Sequence, residues 1–411
     1  MSAPLTRPMG QGRRFPGLAG LGPLRGRRVL LRADLNVPLR DGAVGDATRL
    51  AALTPTLDFL RERGARTAIL SHFGRPSGPE AGLSLRPVAT ALATVCGAPV
   101  AFAEDCIGPV AEAAIRALPP GGILVLENTR FHPGEEGNEP AFVEALARLG
   151  DAFVNDAFSA AHRAHASTEG LARRLPAVAG FALQAELTAL EAALGAPAHP
   201  VLAVVGGAKV SSKLAVLGNL IGKVDCIAIG GGMANTFLFA EGRAIGCSLA
   251  ERDMVETARQ IQAHARRAGT EILLPQDVVV AERFAAHAPS HIVAVDAVPA
   301  AAMILDLGPQ SVARIAGVLA RARTVVWNGP LGAFELSPFD GATRAAAGEV
   351  ARLTRAGRLL SVAGGGDTLA ALNRAMAARD FSFVSTAGGA FLEWLEGKPL
   401  PGIEALFPSR S

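Results

Sequence analysis

Val201-Leu-Ala-Val-Val-Gly-Gly-Ala-Lys209 decides the fold. A five-residue, β-branched apolar run stops abruptly on two glycines and then a lysine. A run of that length and composition reads as a strand buried on both faces, the kind found in parallel sheets. The same unit recurs along the chain. Apolar runs at Val29–Arg32, Thr67–Ser71, Ile123–Glu127, Ala152–Asn155, Cys226–Gly230, Glu271–Leu274, Thr324–Trp327, Leu359–Ala363 and Phe383–Ser385 each end near Gly, Asn, Asp or His. Between them lie Ala/Leu/Arg/Glu-rich stretches of helical spacing, such as Leu50–Arg63, Pro140–Leu149, Leu249–Arg267 and Asp367–Ala377. Strand alternating with helix predicts βαβ units and parallel sheets, an α/β fold.

Length and composition agree. At 411 residues the chain is long enough for two domains. Half of it is hydrophobic and 19% is charged, which supplies real cores and argues against disorder. A helical stretch, Gln184–Leu194, followed by Gly195-Ala-Pro-Ala-His-Pro200, is the best linker. The expected divisions are an N-terminal extension at 1–26, disordered in part, a first domain at 27–183, a hinge helix and linker at 184–200, a second domain at 201–398 and a C-terminal segment at 399–411. The leader is rich in arginine and has no acidic residue before Asp34, but its prolines break any amphipathic helix. It reads as a plain extension in preference to a targeting segment.

Several function classes are disfavoured. A net charge of +3 is too small an excess for a nucleic-acid binder, and Tyr is absent. No run of 18 apolar residues offers a membrane span. The four cysteines, at 96, 106, 226 and 247, form no C-x-x-C pair, so neither a disulfide framework nor a zinc-ribbon spacing is present. A reducing compartment fits best.

In open parallel sheets ligands bind beyond the carboxyl ends of the strands. In the first half those positions read Asp34-Leu-Asn36, His72-Phe-Gly-Arg75, Asn128-Thr-Arg130 and His162-Arg163. With Arg49, these cations could converge on an anion, since arginine forks match phosphate and carboxylate. In the second half they read Gly206-Gly-Ala-Lys209, Gly230-Gly-Gly232, Asn328-Gly-Pro-Leu-Gly332, Gly364-Gly-Gly-Asp-Thr368 and Ala387-Gly-Gly389. Glycine turns let backbone N–H groups approach phosphate, and a following helix adds positive potential. Each also reads as a tight turn or a close packing contact. No Walker A and no G-x-G-x-x-G pattern occurs at these turns. Only four of the 40 basic residues are lysine, and two of them, Lys209 and Lys213, stand four apart. A helix starting near Val210 would place both on one side. Asp367 reads either as a Mg²⁺ ligand or as a helix N-cap.

The motifs together resemble phosphoglycerate kinase. They are Arg32-Ala-Asp-Leu-Asn-Val-Pro38, Ser71-His-Phe-Gly-Arg-Pro76, Leu126-Glu-Asn-Thr-Arg-Phe131, Ala161-His-Arg-Ala-His-Ala-Ser-Thr168, the glycine turns above, Trp327-Asn-Gly-Pro330, Ser385-Thr-Ala-Gly-Gly-Ala390 and Leu400-Pro-Gly402. The resemblance runs from about Arg27 to Leu406. It implies two Rossmann-like domains with parallel sheets, joined by a helical hinge, with the C-terminal segment returning to the first domain. It implies Mg²⁺-dependent, reversible phosphoryl transfer from 1,3-bisphosphoglycerate to ADP, giving 3-phosphoglycerate and ATP, by a soluble cytoplasmic monomer. Carried over residue by residue, Asp34, Leu35, Asn36, Arg49, His72, Phe73, Gly74, Arg75, Arg130, His162 and Arg163 would hold the phosphoglycerate. Gly207, Ala208, Lys213, Gly231, Gly232, Asn328, Pro330, Glu335, Gly365, Gly366, Asp367 and Thr368 would face the nucleotide, with Asp367 on the metal. Arg49, Lys209, Gly388 and Gly389 would act on the moving phosphoryl. Ser77 and Ala185 stand where the family commonly has lysine, Ala387 where it has a glycine, and Phe339-Asp-Gly-Ala-Thr343 has its glycine one position early. Two other classes share the general pattern: a nicotinamide dehydrogenase, disfavoured by the missing fingerprint, and a non-enzymatic anion-binding protein, which has no need of the second, glycine-rich half.

Overall fold

The computed structural model describes residues 15–407. The chain divides into two compact units. One comprises residues 15–187 and 399–407, the other Thr188–Lys398.

Six parallel strands form the sheet of the first unit, in the order Val100–Ala103, Ile123–Leu126, Arg66–Leu70, Arg28–Arg32, Ala152–Asn155, Ala177–Ala179. The four central strands are the apolar runs of the sequence. Val29, Leu30 and Leu31 are fully buried, as a strand covered on both faces requires. The two edge strands carry alanine in place of the β-branched signal, and the sequence reading passed over them.

Residues 15–26, read from sequence as part of the extension, pack on this unit through three leucines; residues 1–14 of that extension lie outside the described residues. Leu18, Leu21 and Leu24 are buried in one cluster with Leu31, Leu57 and Leu60. The Ala179 N–H donates to the Pro16 carbonyl at 2.8 Å, so the segment joins the sheet edge at Gly17. Its prolines exclude a long helix but not an extended edge contact. The described part of the C-terminal segment packs here too. Ile403 and Leu406 are buried, and the Asn155 side chain donates to the Gly402 carbonyl at 3.0 Å.

The second unit is built on another parallel sheet, ordered Glu271–Leu273, Cys226–Ile229, Val201–Val205, Thr324–Asn328, Leu360–Gly364, Phe383–Ser385. This is the 3-2-1-4-5-6 order of dinucleotide-binding sheets, with its switch point between Val201–Val205 and Thr324–Asn328. An antiparallel sheet of Asp277–Ala281, Ser290–Ala294 and Met303–Leu307 is inserted between the third and fourth strands. The expected helix Leu249–Arg267 begins later, at Val255–Ala268. The Leu249 carbonyl is held by the Asn235 amide at 3.1 Å, and Glu251 accepts from the Ser211 N–H and hydroxyl, which ties the would-be first turns to other segments. Among the described residues no helix is long and apolar enough to cross a membrane.

Replacing Leu21 by Ala is expected to lower the unfolding free energy of the first unit by about 2–5 kcal/mol, the cost of emptying a packed core position. Urea unfolding measures it. A change within about 0.5 kcal/mol, the size of a surface effect, would mean that the segment does not pack as described.

Candidate active site

In the first unit the site grows from a buried charge. Arg32, at the end of a central strand, is 1% exposed. Its Nε donates to Ser167 Oγ at 2.9 Å and its NH2 to His72 Nδ1 at 2.9 Å. Glu135, fully buried, accepts from the Ser167 N–H at 3.0 Å and from its hydroxyl at 2.5 Å. Burial pulls the Arg32 guanidinium down and pushes the Glu135 carboxyl up, and their mutual attraction opposes both shifts.

This arrangement fixes the state of His72. Burial first, then the charges of Arg32, Arg130 and Arg163, lower its pKa to about 2, so the ring is neutral. A guanidinium can only donate, so Nδ1 must accept and the ring proton sits on Nε2. His72 is therefore a neutral N–H donor among arginines.

Burial, with the charges of Arg163 and Arg75 nearby, lowers the Arg130 pKa, while Glu136 opposes. Arg75 is exposed. Arg130 donates to the Gly74 carbonyl at 2.7 Å and pairs with Glu136 at 3.0 Å, while the Arg163 Nε donates to His162 Nε2 at 3.2 Å. Arg49 is braced separately: it donates to the Asn36 carbonyl at 2.7 Å and pairs with Asp34 at 3.2 Å. Asp34 also accepts from Ser159 at 2.6 Å, and Asn36 Oδ1 accepts from the Gly74 N–H at 3.1 Å. Leu35 and Phe73, expected as ligand contacts, are core side chains. Their N–H groups are spent on Ser71 Oγ and Asn128 Oδ1, so they position the turns.

The second unit sorts its glycine turns into two kinds. A Cβ at Gly206 would overlap the Pro330 carbonyl oxygen, one at Gly231 would come 2.6 Å from the Gly207 carbonyl oxygen, and one at Gly232 2.5 Å from that of Ala208. The N–H groups of Gly231 and Met233 are spent on the carbonyls of Leu331 and Gly207. The Gly230-Gly-Gly232 turn, read from sequence as a phosphate cradle, is thus first a packing device. The turn at Gly364–Asp367 differs. Gly366 opens the helix Gly366–Arg374, and a Cβ there would meet no protein atom within 4 Å. The helix Gly388–Leu395 starts beside it: a Cβ on Gly388 would lie 3.7 Å from the Gly366 nitrogen. First-turn N–H groups lack intrahelical partners, so two helix N-termini present donors and positive potential side by side.

Lys213 stands near them. Its Nζ bonds Asn328 Oδ1, and the Asn328 amide donates to the Gly364 carbonyl at 2.7 Å. Burial lowers the Lys213 pKa, with Asp367 and Glu396 opposing. The helix expected from Val210 starts only at Leu214, after the turn Ser211–Lys213 that Glu251 ties down. That turn leaves Lys209 exposed while Lys213 is partly buried. Thr368, expected at the nucleotide, is buried, and its Oγ1 accepts from the Gly329 N–H at 2.7 Å.

Next to these groups is a cleft of 370 Å³ whose lining includes Gly207, Ala208, Gly231, Gly232, Pro330, Glu335 and Asp367. Sequence reasoning missed its apolar wall, which includes Leu249, Phe284, Met303, Leu305 and Phe334. Phe284 is 61% exposed, and an exposed aromatic beside a glycine floor suits a planar ring. Arg32, Glu135 and Ser167 were missed in the first unit. Arg32 opens the motif that holds Asp34 and Asn36, and Ser167 lies within the motif Ala161–Thr168, so those were the available signals; Glu135 carries none.

The family model for phosphoglycerate kinase matches residues 21–398. The phosphoglycerate kinase of Azorhizobium caulinodans is 64% identical over 93% of this chain and 97% of its own length, and that of Bradyrhizobium diazoefficiens 61% identical over 93% and 96%. Among solved structures, phosphoglycerate kinase from Coxiella burnetii superposes with a TM-score of 0.89 at 42% identity, covering 96% of this chain and 99% of that one. The Pyrococcus horikoshii enzyme gives 0.79 at 30% identity, with coverages of 95% and 98%. With the cation cluster and the glycine-floored cleft each at the carboxyl end of its sheet, these matches place the chain in the phosphoglycerate kinase family, as a phosphotransferase of that type.

Proposed function

We propose that this chain catalyses direct in-line transfer of a phosphoryl group from 1,3-bisphosphoglycerate to Mg²⁺-bound ADP, giving 3-phosphoglycerate and ATP, reversibly, as a soluble cytoplasmic monomer of glycolysis. The observation that carries the reading is the paired helix N-termini at Gly366 and Gly388, with Lys213 beside them and an apolar cleft for a base next to them. The complement is the arginine cluster of the first unit, which suits a three-carbon acid that carries both a carboxylate and a phosphate.

Phosphoryl transfer needs positioning and charge neutralisation more than covalent help. Arg75, Arg130, Arg163 and the neutral His72 hold the acid, while Asp34 and Asn36 orient Arg49 toward the group to be moved. The cleft takes the nucleoside, Glu335 lies at its edge for ribose hydroxyls, and Lys213 with the Gly366 turn takes the phosphates. Asp367 is an exposed carboxylate on the first turn of its helix. One carboxylate beside a phosphate site fits Mg²⁺, which is held by one or two carboxylates plus phosphate oxygens. When bound, Mg²⁺ neutralises charge on the nucleotide phosphates. Closure about the helix Phe181–Leu190, which runs from one unit into the other, brings Arg49 and Lys209 to opposite sides of the phosphoryl group. The N–H groups at Gly388 and Gly389 donate to its oxygens as charge develops. Closure also keeps water from the activated acyl phosphate.

Replacing Arg49 by Ala is expected to lower kcat about 10²–10³-fold while leaving the Kd for ADP unchanged. Steady-state turnover and a nucleotide titration read the two separately, and near-wild-type turnover would remove Arg49 from its role. Replacing His72 by Gln keeps a side-chain N–H donor, so the KM for 3-phosphoglycerate should stay within about tenfold of wild type. The same variant tests the charge state. His72 has a pKa of about 2 when folded and 6.5 as a free side chain, so the unfolded chain takes the proton first as pH falls. Its contribution is whole above pH 6.5 and is lost on acidification. Between pH 7 and 5, wild type should lose about 2 kcal/mol more stability than the Gln variant by urea unfolding. Equal losses would mean that the ring is not held neutral.

A further inference from the structure

The geometry points to a second cation site, for a thiolate-preferring divalent ion of the zinc class, formed in the first unit by Asp105, Cys106 and His132. A carboxylate oxygen of Asp105, the Cys106 Sγ and a ring nitrogen of His132 all lie within 4.8 Å of one another. Two elements supply them. Asp105 and Cys106 form the turn before the helix Gly108–Ala117, and His132 follows the short helical turn Thr129–Phe131.

The three groups are held in place. Asp105 Oδ1 accepts from the Cys106 N–H at 2.6 Å, which folds the carboxylate back over the thiol. His132 Nε2 is 2.7 Å from the same oxygen, and its ring stacks on Phe142 with centroids 5.2 Å apart. Cys106 is 1% exposed, whereas Asp105 and His132 line a cavity of 590 Å³. That cavity has an acidic surplus. Glu80, Glu104 and Glu127 line it against Arg86, so its field attracts a cation. Glu104 pairs with Arg86, and Glu127 accepts from Ser84 and the Leu85 N–H, so these carboxylates supply charge more than ligands.

One sulfur, one imidazole nitrogen and one carboxylate oxygen are the donor types of zinc, and three protein ligands leave a fourth position open to water. The thiol selects against magnesium, which takes oxygen ligands. On coordination the Cys106 thiol gives its proton to solvent, the Nε2–Asp105 hydrogen bond breaks, and the ring proton of His132 moves to Nδ1 so that Nε2 can bind. The ion would clasp the Asp105–Cys106 turn to the loop that carries Arg130, two residues before His132.

The test is a Co²⁺ titration of the full-length, chelator-treated protein, followed by absorption. One equivalent should produce a thiolate-to-cobalt charge-transfer band together with the strong visible bands of a four-coordinate ion. Zn²⁺ should displace it, and excess Mg²⁺ should not. Cys106→Ser should abolish the charge-transfer band, and His132→Ala should weaken Co²⁺ binding by at least about tenfold. Cys247→Ser, at the exposed thiol of the other unit, should leave the band intact. The absence of a thiolate band in wild type, or a band that survives Cys106→Ser, overturns the assignment.

Discussion

The constraint on the second unit is the close approach of two backbones at the carboxyl ends of neighbouring strands. Val201–Val205 and Thr324–Asn328 run parallel side by side, and the turns that follow pack together at Gly206 and Gly329-Pro330 with no room for a side chain. Any Cβ at Gly206 would strike the Pro330 carbonyl, and any at Gly329 the Gly206 carbonyl. The Gly230–Gly232 turn then packs on Gly207 and Ala208. Stacked bare backbone gives the cleft a thin, flat floor. The inserted antiparallel sheet adds the apolar wall through Met303 and Leu305. The cleft thus follows from sheet topology before any ligand is considered.

A different economy governs the first unit. Its polar groups are sorted into those spent inside the protein and those at its surface, such as Arg75. Arg32 and Glu135 are buried and spend their bonding on Ser167 and His72. A buried pair of this kind is a doubtful source of stability, because desolvation costs offset the attraction. Its evident effect is to fix which nitrogen of His72 carries the proton. Asp34 and Asn36 do the same for Arg49, holding the guanidinium at the end of a central strand.

The sequence showed ten of the twelve strands of the two parallel sheets because a parallel sheet covered on both faces demands unbroken apolar runs, and Ala152–Asn155 and Phe383–Ser385 match to the residue. Val100–Ala103 and Ala177–Ala179 escaped because alanine-rich edge strands carry little β signal. The Leu18–Leu24 segment escaped because proline and glycine read as disorder when the partner surface is unseen. In the site, charged residues after strands were legible one by one. What could not be read is which glycines are packed against backbone and which face open space, since both leave the same letter. Gly231, at φ 68° and hard against the Gly207 carbonyl, and Gly366, with open space around it, are indistinguishable until the turns are folded together.

Those two glycines also differ in what a methyl group would do. Alanine at Gly366 fits the folded chain without a clash, and alanine at Gly231 does not. The decisive measurement is thermal unfolding paired with ADP titration on the Gly366→Ala protein. The expected result is a Tm equal to wild type or slightly higher, as for an unstrained Gly-to-Ala change in a helix, with ADP affinity at least about tenfold weaker, a loss of about 1.4 kcal/mol. Wild-type affinity in that variant would contradict it, because the space over Gly366 would then hold no part of the nucleotide.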